Sequence, residues 1–98
     1  MQKEISIEQS CLRWVKKQGG QLIKQDATFN IGIPDRLLIT HKGNMCFIEF
    51  KDPKGKLSRV QEIAIKKLVA IGVQVYICRS LDEFKEIYSY TMEGNQCN

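Results

Sequence analysis

Two residues of opposite charge, Glu49 and Lys51, stand two positions apart at the end of an apolar run that begins at position 45. Side chains alternate along a β-strand, so both would project from one face, while Cys46, Ile48 and Phe50 project from the other. A carboxylate and an ammonium on one face of a strand indicate either a solvated edge strand or a site that uses both groups.

Asp35 supplies a second carboxylate one hairpin arm earlier, directly after Pro34, whose fixed φ constrains how the chain enters the strand. Carboxylates on adjacent strands can converge on a divalent cation, and Mg²⁺ accepts one or two of them while keeping several waters. Lys51 beside them can orient or deprotonate an attacking water, or stabilise charge on a phosphate. The combination of Asp35, Glu49 and Lys51 therefore favours metal-assisted phosphodiester hydrolysis over a solvated edge with a turn aspartate.

Three basic residues, Lys54, Lys56 and Arg59, follow the Glu49–Lys51 pair in a loop that leads into a helix N-terminus. Such a segment is suited to backbone phosphates, although a charge run is also a common solvated surface. It is not a P-loop, because Phe50 stands where that motif requires its first glycine. The only histidine, His41, lies in a predicted hairpin turn and is a weak candidate for a general base.

The elements that must position these residues follow from periodicity and capping signals. Serines at helix starts, each followed three residues later by Gln or Glu, predict capping boxes at Ser6, Ser58 and Ser80. Period-two patterns with β-branched residues predict strands, and Gly43 suits the turn between two of them. The predicted elements are helix 7–18, strand 21–25, strand 35–40, strand 45–51, a helix from Ser58 to Gly72, strand 73–78 and a helix after Ser80.

Each predicted helix carries an apolar stripe that we expect to face a core. The stripe residues are Ile7, Cys11, Trp14 and Val15 in the first helix, Val60, Ile63, Ala64, Leu68 and Ile71 in the second, and Phe84, Ile87 and Tyr88 in the third. The order α-β-β-β-α-β-α predicts an α/β fold with a mixed four-stranded sheet and flanking helices, in which the β-α-β unit is parallel and right-handed. Trp14 and Phe47 are better explained as core residues than as base-stacking platforms.

The composition sets the limits of this fold. Ninety-eight residues predict one domain spanning 1–98, with 93–98 expected to be a disordered tail. No apolar run is long enough for a membrane span, and the N-terminus lacks a signal-peptide stretch, so a cytoplasmic protein is expected. The four cysteines are scattered, as expected of reduced core residues and not of a zinc site. The net charge of +4 is mild and only slightly favours a nucleic-acid partner.

The motif Pro34-Asp35, followed after a hairpin by Glu49-Phe50-Lys51, resembles the signature of the PD-(D/E)xK nucleases, and the element order resembles their restriction-endonuclease-like core. Within that superfamily the chain resembles the VRR-NUC family over nearly its whole length. The segments that carry this resemblance are Gly32-Ile33-Pro34-Asp35, Phe47-Ile48-Glu49-Phe50-Lys51 and Gly55-Lys56-Leu57-Ser58-Arg59-Val60-Gln61.

The resemblance implies a role for each matching residue. Asp35, Glu49 and the backbone carbonyl of Phe50 would bind Mg²⁺, with Mn²⁺ as a substitute, and Lys51 would assist catalysis. Gln61 matches a glutamine that approaches the site from the second helix, and its alternative role is the capping box with Ser58. Glu8 matches an acidic residue of the first helix that joins the site, and its alternative role is to stabilise the helix N-terminus.

By the same resemblance the expected function is a DNA endonuclease that is selective for branched DNA such as four-way junctions and needs no organic cofactor or membrane. A phage-encoded member would work in the host cytoplasm. A symmetric homodimer is expected, because paired cuts need two sites, with the last helix and its Tyr90 and Met92 as the surplus apolar surface. Tyr90 and Met92 can instead fold back onto the sheet. The alternatives are a catalytically silent nucleic-acid-binding module and a protein-interaction subunit.

Overall fold

The computed structural model of the chain describes residues 4–26, 28 and 31–94, and these form three helices and four strands in the predicted order. The mixed α/β fold predicted from the sequence is confirmed, with strand boundaries within two residues of the predicted ones. The elements are α1 (Glu4–Gln18), β1 (Gln21–Lys24), β2 (Arg36–Ile39), β3 (Met45–Phe50), α2 (Arg59–Ala70), β4 (Val75–Cys78) and α3 (Leu81–Met92).

The four strands lie in the sheet in chain order, β1-β2-β3-β4. The first three are antiparallel neighbours, and β4 pairs parallel to β3 after the α2 crossover. The turn between β2 and β3 contains Gly43 at φ +86°, a conformation that glycine adopts without strain. In the β3–β4 register Glu49 lies opposite Ile77, so the charged end of β3 is an interior position of the sheet and not a solvated edge.

The apolar core lies between one face of the sheet and the helices α1 and α3. Alternation along β3 places Cys46, Ile48 and Phe50 in this core, as predicted from the pattern. Trp14 packs edge-on against the rings of Phe84 and Tyr88, which supports the core assignment for it. The cysteines Cys11, Cys46 and Cys78 are buried and free, while Cys97 lies outside the described residues.

Helix α1 begins at Glu4, so the capping box predicted at Ser6 and Gln9 is wrong. Ser6 lies inside the helix, where its carbonyl accepts a 2.9 Å hydrogen bond from the Ser10 hydroxyl. Glu4 instead lies in the first turn, where its negative charge interacts favourably with the helix dipole. The earlier start brings Glu4 within reach of the site described below.

The apolar stripe predicted for α2 turns only partly inward: Ala64 and Leu68 are half-buried, whereas Val60, Ile63 and Ile71 are exposed. No residue of α2, all of which are described, is buried, and Val60, Ile63 and Ile71 are 47%, 44% and 77% exposed. The reason is the rotation of the helix about its axis: Gln61 points at β3 and hydrogen-bonds Glu49. Because successive helical residues are turned by about 100°, this orientation directs Val60 and Ile63 away from the sheet.

Helix α3 packs as predicted, with Phe84 and Tyr88 buried and Ile87 packed against the core. Met92 also packs against the core, and the ring of Tyr90 contacts Tyr76 of β4 edge-on. Met92 is therefore folded back onto the core, while Tyr90 contacts Tyr76 and remains 50% exposed. Among the helices of the described residues, none is both long and apolar enough to cross a membrane.

Candidate active site

The carboxylate of Glu49 is the centre of the candidate site, and it is only 1% exposed. It accepts a hydrogen bond of 3.2 Å from the backbone N–H of Asp35 and one of 2.8 Å from the Gln61 side-chain amide. The Lys51 Nζ lies 3.7 Å from the same oxygen that Gln61 contacts. The structure thus brings together the four residues that the sequence predicted to act in catalysis.

Asp35 is held beside Glu49 by two hydrogen bonds, one to its side chain and one from its backbone N–H. Its Oδ2 accepts a 3.0 Å hydrogen bond from the backbone N–H of Phe50, and Asp35 N–H in turn donates to Glu49. These reciprocal bonds join the start of β2 to the end of β3. The preceding Pro34 is fully buried, which fixes the entry into β2.

Gly32 brings the loop before Asp35 against the first turn of α2. It has a φ of +87°, and a Cβ atom at this position would lie 2.7 Å from the carbonyl oxygen of Val60. Any other residue would push the loop and the helix apart. Since the loop carries Asp35 and the helix carries Gln61, a glycine here is required to keep both side chains at Glu49.

The carboxylates of Asp35 and Glu49 lie close together and largely shielded from water, which disfavours their ionisation. Burial, followed by the charge of Asp35, raises the pKa of Glu49 to about 7. Burial also raises the pKa of Asp35, although the hydrogen bond from Phe50 N–H opposes that shift. The positive charge of Lys51 lowers both pKa values without offsetting burial. The site therefore favours additional positive charge, supplied either by protons or by a bound cation.

Glu4 is an acidic neighbour of the site that the sequence analysis missed. Burial and the charge of Asp35 raise the pKa of Glu4, and Lys51 opposes that shift. Its one signal in the sequence was the i, i+4 spacing from Glu8, which places both glutamates on the same side of α1. The false cap at Ser6 had left Glu4 outside the predicted helix.

Glu8, the residue predicted from α1, has a strong partner of its own. Its Oε2 lies 2.6 Å from Arg36 Nε, and Arg36 also donates to the carbonyl of Leu22. Because α1 starts at Glu4, Glu8 lies one turn into the helix and outside its first turn. The alternative role of Glu8 at the helix N-terminus is therefore wrong. Its charge still raises the pKa of Asp35, so Glu8 borders the site while it is paired with Arg36.

Gln61 serves the capping box and the site at the same time, whereas the sequence analysis had treated these roles as alternatives. Its backbone N–H donates to Ser58 Oγ at 3.2 Å, and its Oε1 accepts from Ser58 N–H at 2.9 Å. Its Nε2 donates to Glu49 Oε2 at 2.8 Å. Both roles are compatible because the two ends of one amide have different partners.

The other predicted residues are placed around this centre. Lys54, Lys56 and Arg59 are exposed in the loop after β3 and the first turn of α2, where they are open to a polyanion. His41 is held in the hairpin turn: its backbone N–H donates to the Tyr88 hydroxyl at 2.9 Å, and its Nδ1 lies 2.8 Å from the same oxygen. His41 therefore has a structural role away from the carboxylates.

The side chains available as ligands restrict which cations can bind at the site. Within residues 4–26, 28 and 31–94, no group of three or more His, Cys, Asp and Glu side chains is arranged to hold a metal ion. The two adjacent carboxylates of Asp35 and Glu49, with raised pKa values, do fit a hard cation that takes one or two carboxylates and completes its shell with water. They do not fit zinc, which requires a closed set of protein ligands in structural sites and three protein ligands in catalytic ones.

Comparisons with known proteins agree with this geometry. The family model for the VRR-NUC domain matches residues 3–82 of the chain. A protein of Acyrthosiphon pisum secondary endosymbiont phage 1, described as "Putative nuclease p44", is 35% identical over 80 residues, which cover 82% of this chain and 86% of that protein. A solved structure described as a VRR_NUC domain superposes with a TM-score of 0.78, covers 92% of this chain and 98% of its own, and is 22% identical, so it supports the fold alone.

Proposed function

The chain belongs to the VRR-NUC family of nucleases, and from this premise we propose that it is a divalent-metal-dependent DNA endonuclease. The observation that carries the proposal is the contact of Asp35, Lys51 and Gln61 with the buried carboxylate of Glu49. Burying an ionised carboxylate is costly unless compensating charge is present. A fold that keeps two carboxylates side by side in this position is best explained by a cation that binds there.

The residues that would hold the metal are Asp35 and Glu49, with the backbone carbonyl of Phe50 as a further ligand implied by the family resemblance. Mg²⁺ is the proposed metal, with Mn²⁺ as a substitute, because the donors are hard oxygens. When bound, the ion would supply Lewis-acid stabilisation of the phosphate and activation of water. Glu4 and Glu8 border the site, and Glu8 can join it only by weakening its pair with Arg36.

Lys51 is proposed to act on the nucleophile or on the phosphate. Its side chain is 16% exposed and its Nζ lies 3.7 Å from the Glu49 carboxylate, so its reach is restricted to the immediate surroundings of the site. From there the ammonium can orient an attacking water or stabilise the charge that develops on the phosphate, and only the deprotonated amine could take the proton of that water. Gln61 donates to the same Glu49 oxygen and helps to hold the carboxylate in place.

DNA is the proposed substrate, and Lys54, Lys56 and Arg59 are the proposed phosphate contacts. They are exposed and follow β3 directly, so a strand bound along this loop would pass the carboxylates. Selectivity for branched DNA such as four-way junctions is proposed from the family resemblance described for the sequence. The phage source of the p44 relative and the free thiols of Cys11, Cys46 and Cys78 support the host cytoplasm as the place of action.

A symmetric homodimer is proposed as well, but with a different contact surface from the one expected on α3. Exposed apolar side chains lie along α2 at Val60 and Ile63 and at its C-cap Ile71, and Ile31, which lines the same cleft as Val60 and Ile63, is 74% exposed. We call these four residues the α2 apolar face. A second copy is its proposed occupant, since cuts on two strands require two sites and a two-fold axis would bury the same face twice.

The test is cleavage of labelled linear, flap and four-way junction DNA with Mg²⁺ present. We expect the junction to be cut faster than the linear duplex. A catalytically silent module would bind these DNAs through the basic loop but leave all of them intact at every Mg²⁺ and Mn²⁺ concentration. That outcome would refute the proposed activity while leaving DNA binding in place.

A further inference from the structure

We propose that Ser58, an exposed residue outside the carboxylate cluster, is a positioning residue for the active site, and this inference rests on the proposed nuclease function. Ser58 is the N-cap of α2, with extended backbone angles of φ −71° and ψ 163°. Its hydroxyl accepts the Gln61 N–H, and its own N–H donates to Gln61 Oε1. Its effect on Glu49 passes entirely through Gln61.

The amide of Gln61 has one accepting end and one donating end, and only one orientation satisfies all of its neighbours. Because Ser58 N–H occupies Oε1, the NH₂ group must point at Glu49. An amide turned by 180° would place its oxygen against the carboxylate and its NH₂ against another donor. The capping box therefore selects the amide orientation that supports an ionised Glu49.

The same cap holds the first turn of α2, which carries Gln61. If the first turn frayed, Gln61 would lose its backbone anchor as well as its side-chain anchor, and its side chain would gain freedom to leave Glu49. Lys56 and Arg59, two of the proposed phosphate contacts, flank Ser58 in the sequence. Substrate held by this segment would therefore be held next to the residue that orients Gln61.

The chain offers a matched control in Ser80, the N-cap of α3, whose hydroxyl accepts the Glu83 N–H at 3.1 Å. Ser80→Ala and Ser58→Ala each remove one serine cap from a helix of twelve residues. Both should lower the melting temperature by similar amounts. Ser58→Ala keeps the backbone N–H that donates to Gln61 Oε1, so it acts by removing the hydroxyl that accepts Gln61 N–H and by letting the first turn of α2 fray. Only Ser58→Ala should reduce kcat, by about tenfold with little change in KM, because α2 and not α3 carries Gln61 to Glu49. Ser58→Thr, which keeps the capping hydroxyl, should restore most of the rate.

A second readout needs no enzymatic activity. Side-chain amide protons of Gln61 should exchange slowly with solvent in the metal-free wild-type protein, and Ser58→Ala should accelerate that exchange while Ser80→Ala leaves it unchanged. Cleavage by the double variant of Ser58→Ala and Gln61→Ala should be no slower than by Gln61→Ala alone, since both act through one contact.

The outcomes separate the two hypotheses. If the wild-type protein cuts DNA and Ser58→Ala has the kcat of Ser80→Ala, with Gln61 exchange unchanged, then the positioning role is refuted and the nuclease function stands. If the wild-type protein cuts no DNA, then the proposed function fails, and amide exchange alone decides whether Ser58 orients Gln61. Additive losses in the double variant would also contradict the proposal.

Discussion

Glu49→Gln is expected to stabilise the metal-free protein at pH 8, although it removes a proposed catalytic residue. The pKa of Glu49 rises from 4.5 to about 7 in the folded protein, so keeping this carboxylate ionised there costs about 3 kcal/mol. Glutamine avoids that cost, but it has one acceptor oxygen and cannot accept hydrogen bonds from both Asp35 N–H and Gln61 Nε2. Losing one of these bonds destabilises the variant by about 1–2 kcal/mol. The net gain in unfolding free energy is then about 1–2 kcal/mol, or roughly 5–10 °C in melting temperature.

The pH dependence of this gain follows from the sign of the shift. Between pH 4.5 and about 7 the folded protein retains a proton on Glu49 that the unfolded chain releases. Wild-type stability therefore falls as pH rises through this window, relative to the variant. Below pH 4.5 the advantage of Glu49→Gln should vanish, and the lost hydrogen bond should leave the variant slightly less stable.

Urea or thermal unfolding in EDTA at pH 4 and pH 8 measures both effects. Glu86→Gln, which removes an exposed glutamate from the middle of α3, is the matched control and should change stability little at either pH. Saturating Mn²⁺ should stabilise the wild-type protein and not Glu49→Gln, which reverses their order. The proposed electrostatic cost would be refuted if Glu49→Gln were less stable than wild type at pH 8 in EDTA. It would also be refuted if the difference in unfolding free energy between the two proteins were the same at pH 4 and pH 8.

Three further predictions follow from the site and its surroundings. Alanine at Lys54, Lys56 and Arg59 together should lower the log–log salt slope of DNA binding by about 3, and an unchanged slope would remove them from the interface. Ile63→Asp should convert a dimer into a monomer by light scattering at micromolar concentration, and a wild-type mass of one chain, free and with junction DNA, would refute the pairing. Lys51→Met should reduce cleavage about 100-fold or more yet keep the Mn²⁺-induced rise in melting temperature, and loss of both would indicate a role in metal binding.

The centre of the site was predictable because local rules determine it. Alternation along β3 and a short hairpin place Glu49, Lys51 and Asp35 on neighbouring strands without knowledge of the rest of the fold. The serine N-caps at Ser58 and Ser80 were predictable for the same reason, since each depends on residues within one turn. The full capping box predicted at both forms at Ser58, whereas at Ser80 the Glu83 Oε1 accepts from Arg79 N–H instead.

The remainder depended on contacts between distant parts of the chain. The pair of Glu8 with Arg36 spans 28 positions, and no local pattern indicates it. The rotation of α2 places Gln61 at Glu49 and half-buries Ala64, Ile65 and Leu68 on the same side of the helix, a combination that the predicted stripe did not include. The pattern of Ser6 and Gln9 resembles a capping box but lies inside a helix that starts at Glu4. The predicted helix therefore began too late to include Glu4.

Cleavage of a labelled four-way junction by the wild-type protein and by Asp35→Asn, with Mg²⁺ or with EDTA, is the most direct test of the proposed metal-dependent activity. The predicted result is cleavage by the wild-type protein with Mg²⁺ only, and a loss of at least 1,000-fold in Asp35→Asn, on the order of the losses seen when catalytic groups are removed. The variant should still bind the junction, because its fold and basic loop are intact. Cleavage in EDTA, or a near wild-type rate for Asp35→Asn, would contradict the assignment of Asp35 and Glu49 as the metal site.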